Sequence, residues 1–201
     1  MGTALFGGAF DPFHKGHLSI LNALDKHPLI QNSVVIPTSI PPHKPMPFFS
    51  APHRLAMLKQ VIHLQNLSIP VTLSDLEIAH QGPSYTIDTL RQLLLQNVYP
   101  QPFFIVIGAD NFFTFHQWKY PEEILTLAHL LVLNREGYGH TPDAYRTYFY
   151  THFSKGWEKV SFANMEPVTV SSQHIRDRLS QNLSISGLVP ECIERYIGAL
   201  W

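Results

Sequence analysis

Short apolar runs alternate along this chain with segments in which apolar positions recur every three to four residues. The runs predict buried strands, and most of the intervening segments have the periodicity of helices. The predicted strands lie at about residues 3–6, 33–37, 71–73, 103–107, 129–133 and 160–162. This alternation is typical of a parallel sheet, so we expect an α/β fold with a doubly wound sheet and helices on both faces.

Boundary signals support several of these elements. They are Leu18, Leu21 and Leu24 on one helical face, Ser50 before a helix over 51–64, and Pro121 with Glu122 and Glu123 in a first turn. Residues 37–52 differ, because six prolines there disfavour a helix or a central strand. We predict an ordered loop near the functional site.

Composition limits the classes of protein to which the chain can belong. With 201 residues and 45% hydrophobic content, one domain over residues 1–201 is expected. The 14 Lys and Arg nearly balance 15 Asp and Glu, so we expect no nucleic-acid partner. The apolar runs are too short to span a membrane and the start lacks a signal peptide, which predicts a cytoplasmic protein without a membrane partner. The single Cys192 is expected to be a buried thiol.

The most informative segment follows the first predicted strand, where Gly7 and Gly8 lead through an Asp11-Pro12 turn to His14 and His17. Glycines let a backbone approach an anion closely, and the start of a helix supplies free N–H groups and a positive dipole end. The two histidines would add donors on the same side. This arrangement predicts a phosphate-handling loop.

Other strand ends carry similar chemistry. The second strand leads to His43 and Lys44, the fourth to Gly108 and Asp110, and the fifth to Arg135. Ligands of open parallel sheets bind beyond the carboxyl ends of the strands, so these residues are expected to share one site.

A late helix repeats the anion-binding pattern. Ser171 and Ser172 would cap it, Ile175 would face the core, and Arg176 would lie one turn from the capped end. A guanidinium there could form paired hydrogen bonds with phosphate oxygens. Zinc ligation by His14 and His17 is disfavoured, because no third ligand stands at a fixed spacing, and we expect no metal held by protein ligands alone.

These residues resemble the nucleotidyltransferase superfamily that carries an HxGH signature, and within it the bacterial nicotinate-nucleotide adenylyltransferase family. Matching segments cover nearly the whole chain: GGAFDPFHKGH from Gly7, IPPHKP from Ile40, GPSYTIDTL from Gly82, VIGADNFFTFHQW from Val106 and SSQHIR from Ser171. The resemblance implies a Rossmann-like, doubly wound parallel sheet in a single domain.

The chain departs from the family pattern at three places. His80 stands where the family usually has arginine, Glu136 follows Arg135 where the family has proline, and Gln173 replaces a threonine. The first change puts in question an arginine contact with substrate, and the last puts in question one hydroxyl contact with phosphate.

The resemblance implies transfer of the adenylyl group of ATP to nicotinic acid mononucleotide, which yields nicotinic acid adenine dinucleotide and pyrophosphate in NAD biosynthesis. His14, His17 and Arg176 are the implied catalytic residues. The implied ATP-binding residues are Gly7, Gly8, Phe10, His14, His17, Lys44, Gly108, Asp110, Ser171, Ser172 and Arg176. The implied residues for the mononucleotide are Ser84, Tyr85, Thr86, Trp118 and Arg135.

Asp110 is expected to accept a hydrogen bond from a ribose hydroxyl, Trp118 to stack on the pyridine ring, and donors near Thr86 to bind the nicotinate carboxylate. Mg²⁺ is the expected cofactor, bound through the ATP phosphates with most of its waters retained.

Three alternatives stay open at this point. The acceptor could be nicotinamide mononucleotide or phosphopantetheine, and the chain could be a nucleotide-binding regulator without turnover. Both signature histidines are present, which favours an enzyme, and the number of subunits stays open.

Overall fold

Parallel strands form the centre of the molecule. The computed structural model describes residues 1–40, 46–80, 82–135, 141–166 and 168–200, without the side chains of residues 134 and 135. The strands in these ranges are β1 (Gly2–Gly8), β2 (Ile30–Pro37), β3 (Val71–Leu73), β4 (Phe103–Gly108), β5 (Ala128–Arg135) and β6 (Val160–Met165). They form a six-stranded sheet in the order β3-β2-β1-β4-β5-β6, and every pairing is parallel.

Helices connect the strands. They are α1 (Lys15–Asp25), α2 (Ala51–Leu64), α3 (Leu76–Ala79), α4 (Thr86–Gln96), α5 (Ala109–Phe112), α6 (Pro121–Leu127), α7 (Pro142–His152), α8 (Ser172–Ser180) and α9 (Glu191–Gly198), with 3₁₀ turns at Phe115–Gln117 and Trp157–Lys159. Within the described ranges, no helix combines the length and the apolar character needed to cross a bilayer.

Alternate residues of each central strand face opposite sides of the sheet, as strand geometry requires. Ala4 and Phe6 of β1 belong to a core packed with α1, α2, α8 and α9, whereas Leu5 belongs to a second core with α4, α6 and α7. The expected doubly wound, Rossmann-like sheet with helices on both faces is confirmed. Cys192 is buried in the first core, as predicted.

The predicted strands are all present, and the helices over 51–64 and from Pro121 are confirmed. The loop prediction over 37–52 is wrong at its two ends, because Pro37 closes β2 and Pro52 lies in the first turn of α2, where proline costs no hydrogen bond. Residues 41–45 of this segment lie outside the described residues. The sequence pattern does not predict α7. That helix buries Tyr145 and Phe149 alone, which is too few apolar positions to reveal a helical period.

The strand order places a crevice beyond the carboxyl end of β1. From β1 the chain moves outward to β2 and β3 on one side, and it returns to place β4 on the other side of β1. The loops after β1 and β4 therefore lead to opposite faces, and such a switch point is where open α/β sheets bind ligands.

Arg54 of α2 is a fully buried cation, 1% exposed, that joins the loops around this crevice. Its guanidinium donates to the carbonyls of Ala9 at 2.7 Å, Thr38 at 2.8 Å, Phe49 at 3.2 Å and Ser39 at 3.4 Å. Burial lowers the pKa of Arg54, and the charge of Asp11 opposes that shift. One side chain thus satisfies carbonyls from the loops after β1 and β2 and from the approach to α2.

We predict that Arg54→Met lowers the free energy of unfolding by at least about 2 kcal/mol, because each buried carbonyl left without a donor costs about 1–3 kcal/mol. Urea denaturation followed by circular dichroism measures the change. Arg195→Met is the matched control, since Arg195 is 72% exposed and its ion pair with Glu191 should contribute under about 1 kcal/mol. Equal effects of the two substitutions would contradict the role given to Arg54.

Candidate active site

His14 and His17 cap the first helix with their side chains. His14 is the residue before α1, and its Nδ1 accepts from the backbone N–H of His17 at 3.4 Å, while Nδ1 of His17 accepts from the backbone N–H of His14 at 3.2 Å. The rings stack with centroids 3.8 Å apart. A neutral imidazole that accepts at Nδ1 carries its proton at Nε2. The reciprocal cap therefore makes Nε2–H the donor of each ring.

An aromatic cluster holds the His17 ring from behind. The centroids of Phe10, Phe13 and Phe6 lie 5.0, 5.3 and 6.1 Å from the imidazole centroid. Phe10 has a positive φ of 49° and a side chain buried in the core. Its ring thus supports His17, and any contact of this residue with ATP would be made by its main chain.

Asp11 joins the histidine loop, which is the segment 7–17 from the end of β1 to the start of α1, to two other segments. Its buried carboxylate accepts from the backbone N–H groups of Phe48 and Phe49, each at 2.7 Å, and lies 3.6 Å from the Arg176 guanidinium. All of these partners compete for oxygens of the same group. Asp11 is therefore engaged in holding the loop and is poorly placed to act as a base.

The start of α8 packs directly on the histidine loop. Ser172 Oγ donates to the carbonyl of Pro12 at 3.1 Å, and Arg176 Nη1 donates to the carbonyl of Asp11 at 2.8 Å. Ser171 caps α8 by accepting from His174 N–H. The two sequence segments predicted to bind phosphate, 160 positions apart, are in contact.

Gln173, which departs from the family pattern, has a defined place here. Its Oε1 accepts from Arg176 Nη2, and its Nε2 donates to Asp177 at 2.7 Å. The amide thus orients the Arg176 guanidinium. A threonine hydroxyl is too short to make both contacts.

A cavity of about 500 Å³ lies on the face of the sheet that α4 and α6 cover, opposite the face that α1 covers. Its walls include Leu5 and Ile107 from the strands and Leu90 and Ile124 from α4 and α6. Gly7, Gly8 and Ala9 form the part of its lining that belongs to the histidine loop. The histidines and the cavity therefore lie on two sides of one short glycine segment.

Ser84, Tyr85, Thr86 and Trp118 all line this cavity. Tyr85 precedes the first residue of α4, and no side chain caps that helix. Trp118 packs against Phe115 with centroids 5.3 Å apart. The residues predicted for the mononucleotide are thus together, with a helix start and an aromatic ring in one wall.

Lys119 adds a cation at the same wall. Its Nζ lies 4.5 Å from the Tyr85 ring centroid and 2.8 Å from an Asp88 carboxylate oxygen. Asp88 also forms an ion pair with Arg91, and Arg91 forms a second ion pair with Glu123. The edge of the cavity is therefore held by a network of exposed ion pairs.

Gly108 and Asp110 lie at the carboxyl end of β4, as predicted. A Cβ on Gly108 would lie 2.5 Å from Oδ1 of Asp110, so any larger residue here would require the Asp110 side chain to move. Asp110 is exposed in the first turn of α5. Its neighbour Asn111 lines the cavity.

The side chains of two predicted site residues are not described. Lys44 lies outside the described residues, and for Arg135 only the backbone at the end of β5 is described. Of the departures from the family pattern, Glu136 also lies outside the described residues, and His80 is exposed at the end of α3.

Sequence reasoning missed several residues of the site. Glu77, Thr38, Asn111, Gln117 and Lys119 line the cavity without having been predicted. Glu77 and Thr38 stand in short segments with no periodic pattern. Signals existed for Asn111, which follows Asp110, and for Gln117 and Lys119, which flank Trp118.

Comparisons with known proteins agree with this geometry. A family model described as Cytidylyltransferase-like matches residues 5–178. A protein of Pectobacterium atrosepticum described as "Probable nicotinate-nucleotide adenylyltransferase" is 34% identical, with 97% of this chain and 95% of that protein aligned. A protein of Sodalis glossinidius with the same description is 32% identical over 98% of this chain and 94% of its own length.

Among solved structures, the Plasmodium falciparum nicotinic acid mononucleotide adenylyltransferase complexed with NaAD has the same fold. Its TM-score is 0.78 at 20% identity, with 98% of this chain and 95% of that chain covered. Since the family model spans most of the chain and full-length relatives exceed 30% identity, this chain belongs to the nicotinate-nucleotide adenylyltransferase family of nucleotidyltransferase enzymes.

Proposed function

We propose that this chain transfers the adenylyl group of ATP to nicotinic acid mononucleotide, releasing pyrophosphate and forming nicotinic acid adenine dinucleotide. The observation that carries the proposal is the meeting of a donor-rich loop with a cavity of about 500 Å³ at Gly7–Ala9. That volume is in the range of small-ligand sites. ATP would occupy the histidine side and the mononucleotide the cavity.

The chemistry requires alignment and charge stabilisation more than proton abstraction. The attacking phosphate is already an anion, so the site must hold two polyanions in line and neutralise charge on the α-phosphate and the leaving group. The Nε2–H groups of His14 and His17 are suited to that task. We assign His17 to the α-phosphate, since its ring is held by contacts with three phenylalanine rings.

Arg176, Ser171, Ser172 and Lys44 would bind the remaining phosphate oxygens. Arg176 of α8 contacts the histidine loop with its side chain 24% exposed, and its donors form a planar fork that suits phosphate. Asp110 would accept from a ribose hydroxyl. The main chain of Gly7, Gly8 and Phe10 would allow close approach of the triphosphate.

Mg²⁺ would bind through ATP. In the part of the chain that the structure describes, no group of three or more His, Cys, Asp and Glu side chains is arranged to hold a metal ion. Asp11, the carboxylate of the histidine loop, is engaged by two N–H groups and Arg176. These residues fit a cation that arrives on the phosphates and, when bound, offsets their negative charge.

On the cavity side, Trp118 would stack on the pyridine ring and the start of α4 would bind the carboxylate. Tyr85 leaves the first N–H groups of α4 without a side-chain cap, and Thr86 begins the helix. N–H donors and the helix dipole favour an anion there. An amide in place of the carboxylate carries no charge, so the contact would select the acid. Arg135 would add to the mononucleotide side.

We predict a kcat/KM for nicotinic acid mononucleotide at least about tenfold above that for the amide, which is roughly 1.4 kcal/mol of transition-state binding. Pyrophosphate release with ATP and Mg²⁺ measures both values. Equal values would contradict the carboxylate contact. Release with neither mononucleotide would contradict adenylyl transfer to a pyridine nucleotide.

We predict that His17→Ala lowers kcat about a hundredfold or more, because it removes a donor to developing charge. It also removes an acceptor of the helix cap, which should cost about 1 kcal/mol of stability. His17→Asn separates the two effects, since its shorter side chain can still accept from the His14 N–H without reaching the Nε2 position. Asn should therefore restore stability but not kcat.

His63→Ala is the control, because His63 is exposed in the last turn of α2. Its kcat should equal that of the unchanged protein. A His17→Asn variant with full turnover would show that His17 serves the helix cap alone.

A further inference from the structure

A carboxylate stands in the wall of the cavity proposed to receive an anion. Glu77, from the short helix α3, is half-buried and lines the cavity beside Ser84 and Thr86. An uncompensated negative charge at this place would oppose binding of a carboxylate. The surroundings of Glu77 show how the chain uses it.

Three hydroxyl groups lie around the Glu77 carboxylate. Thr89 Oγ1 donates to Glu77 Oε1 at 2.7 Å, and the hydroxyls of Ser84 and Thr38 interact with the same carboxylate. Burial raises the pKa of Glu77, and the interactions with these three hydroxyls oppose that shift. The hydroxyls come from three places: Thr38 from the loop after β2, Ser84 from the approach to α4, and Thr89 from α4 itself.

The Ser84 hydroxyl links two segments. Its Oγ accepts from the backbone N–H of Ser39 at 3.2 Å, and its single proton can be donated to the Glu77 carboxylate beside it. The backbone N–H of Ser84 donates to the carbonyl of Ile40, and Ile40 pairs with Pro83 in a parallel bridge. Ser84 thus joins the two loops at the cavity mouth, and Glu77 supplies the acceptor that this junction needs.

Thr89 fixes the other side of the same turn. It lies on α4 and is buried, 7% exposed, one turn beyond Tyr85. Its hydroxyl lies 2.7 Å from Glu77 and 3.4 Å from the Tyr85 carbonyl. Glu77 therefore contacts residues on both sides of Tyr85 and Thr86, the segment proposed to bind the nicotinate carboxylate.

We propose that Glu77 is a positioning residue for the acid substrate: by accepting from Thr38, Ser84 and Thr89 it fixes the start of α4 in the orientation that binds the nicotinate carboxylate. This role rests on the proposed function of the cavity. The dipoles of the three hydroxyls partly offset the negative charge of Glu77, which reduces its repulsion of the bound anion.

The role requires a carboxylate and not merely a polar side chain. An ionised carboxylate is an acceptor only and has about four lone-pair positions, enough for three hydroxyls. A glutamine has one acceptor oxygen, and its NH₂ would face a hydroxyl that must then accept. With one acceptor oxygen fewer, glutamine would leave a hydroxyl of this group without its acceptor, so the amide would weaken the junction.

The test compares Glu77→Gln and Glu77→Ala with the unchanged protein, by steady-state kinetics with ATP, the acid mononucleotide and the amide mononucleotide. For Glu77→Ala we expect KM for the acid to rise at least about tenfold, while KM for ATP and kcat at saturation stay within about threefold. The preference for acid over amide should fall by the same factor. Glu77→Gln should lie between the two proteins, and it serves alone if Glu77→Ala does not fold.

Glu158→Gln is the matched control, since Glu158 is exposed and outside the cavity lining. Ser84→Ala should raise KM for the acid as well, and the Glu77→Ala, Ser84→Ala pair should be less than additive, because both remove one junction.

Four outcomes would overturn the role. The first is an unchanged KM for the acid, the second a rise in KM of the same size for acid and amide, and the third a rise in KM of the same size for ATP. The fourth is a lower KM for the acid in Glu77→Gln, which would show that Glu77 repels the substrate. Absence of pyrophosphate release by the unchanged protein with either mononucleotide would instead contradict the proposed function.

Discussion

The rest of the site depends on the contacts that the Asp11 carboxylate makes. It is buried in the histidine loop, accepts from the backbone of Phe48 and Phe49, and is paired with Arg176. Arg54 adds a second positive charge from the core side. A buried carboxylate is stable only with such partners, so the loop, the approach to α2 and the start of α8 are constrained together. The groups proposed to bind phosphate are thereby held in place by contacts within the protein.

The fold was largely predictable because buried strands appear in the sequence as runs of apolar residues. β4 and β5 are buried on both faces and read as unbroken apolar runs, so that both strands were found within two residues of their observed ends. α7 was not found, because its contact with the core is limited to Tyr145 and Phe149 and its other positions are mixed. The hydrophobic periodicity of an element depends on how many of its positions are buried. A helix that buries two side chains therefore shows no clear helical period in the sequence.

The candidate site was predictable where chemistry is concentrated in one motif, and not where it depends on contacts between distant segments. The histidine loop and Ser171–Arg176 were identified separately, and the structure brings them together through the carbonyls of Asp11 and Pro12. Nothing in the local sequence of Arg54 or Glu77 marks them, since each acts through partners contributed by several loops. Their roles follow from hydrogen-bond geometry alone.

The proposed division of the site between two faces bears on the glycine at position 7. Adenylyl transfer requires the attacking phosphate to lie in line with the α-phosphate and its leaving group. Gly7, Gly8 and Ala9 are the residues of the histidine loop that line the cavity. A Cβ on Gly8 would lie 3.2 Å from the Phe10 ring, so packing constrains that position, whereas a Cβ on Gly7 would have no neighbour nearer than the Ile36 carbonyl at 4.0 Å. Under the proposed function a side chain at position 7 would project between the two substrates, so the proposed reaction constrains Gly7 more than the fold does.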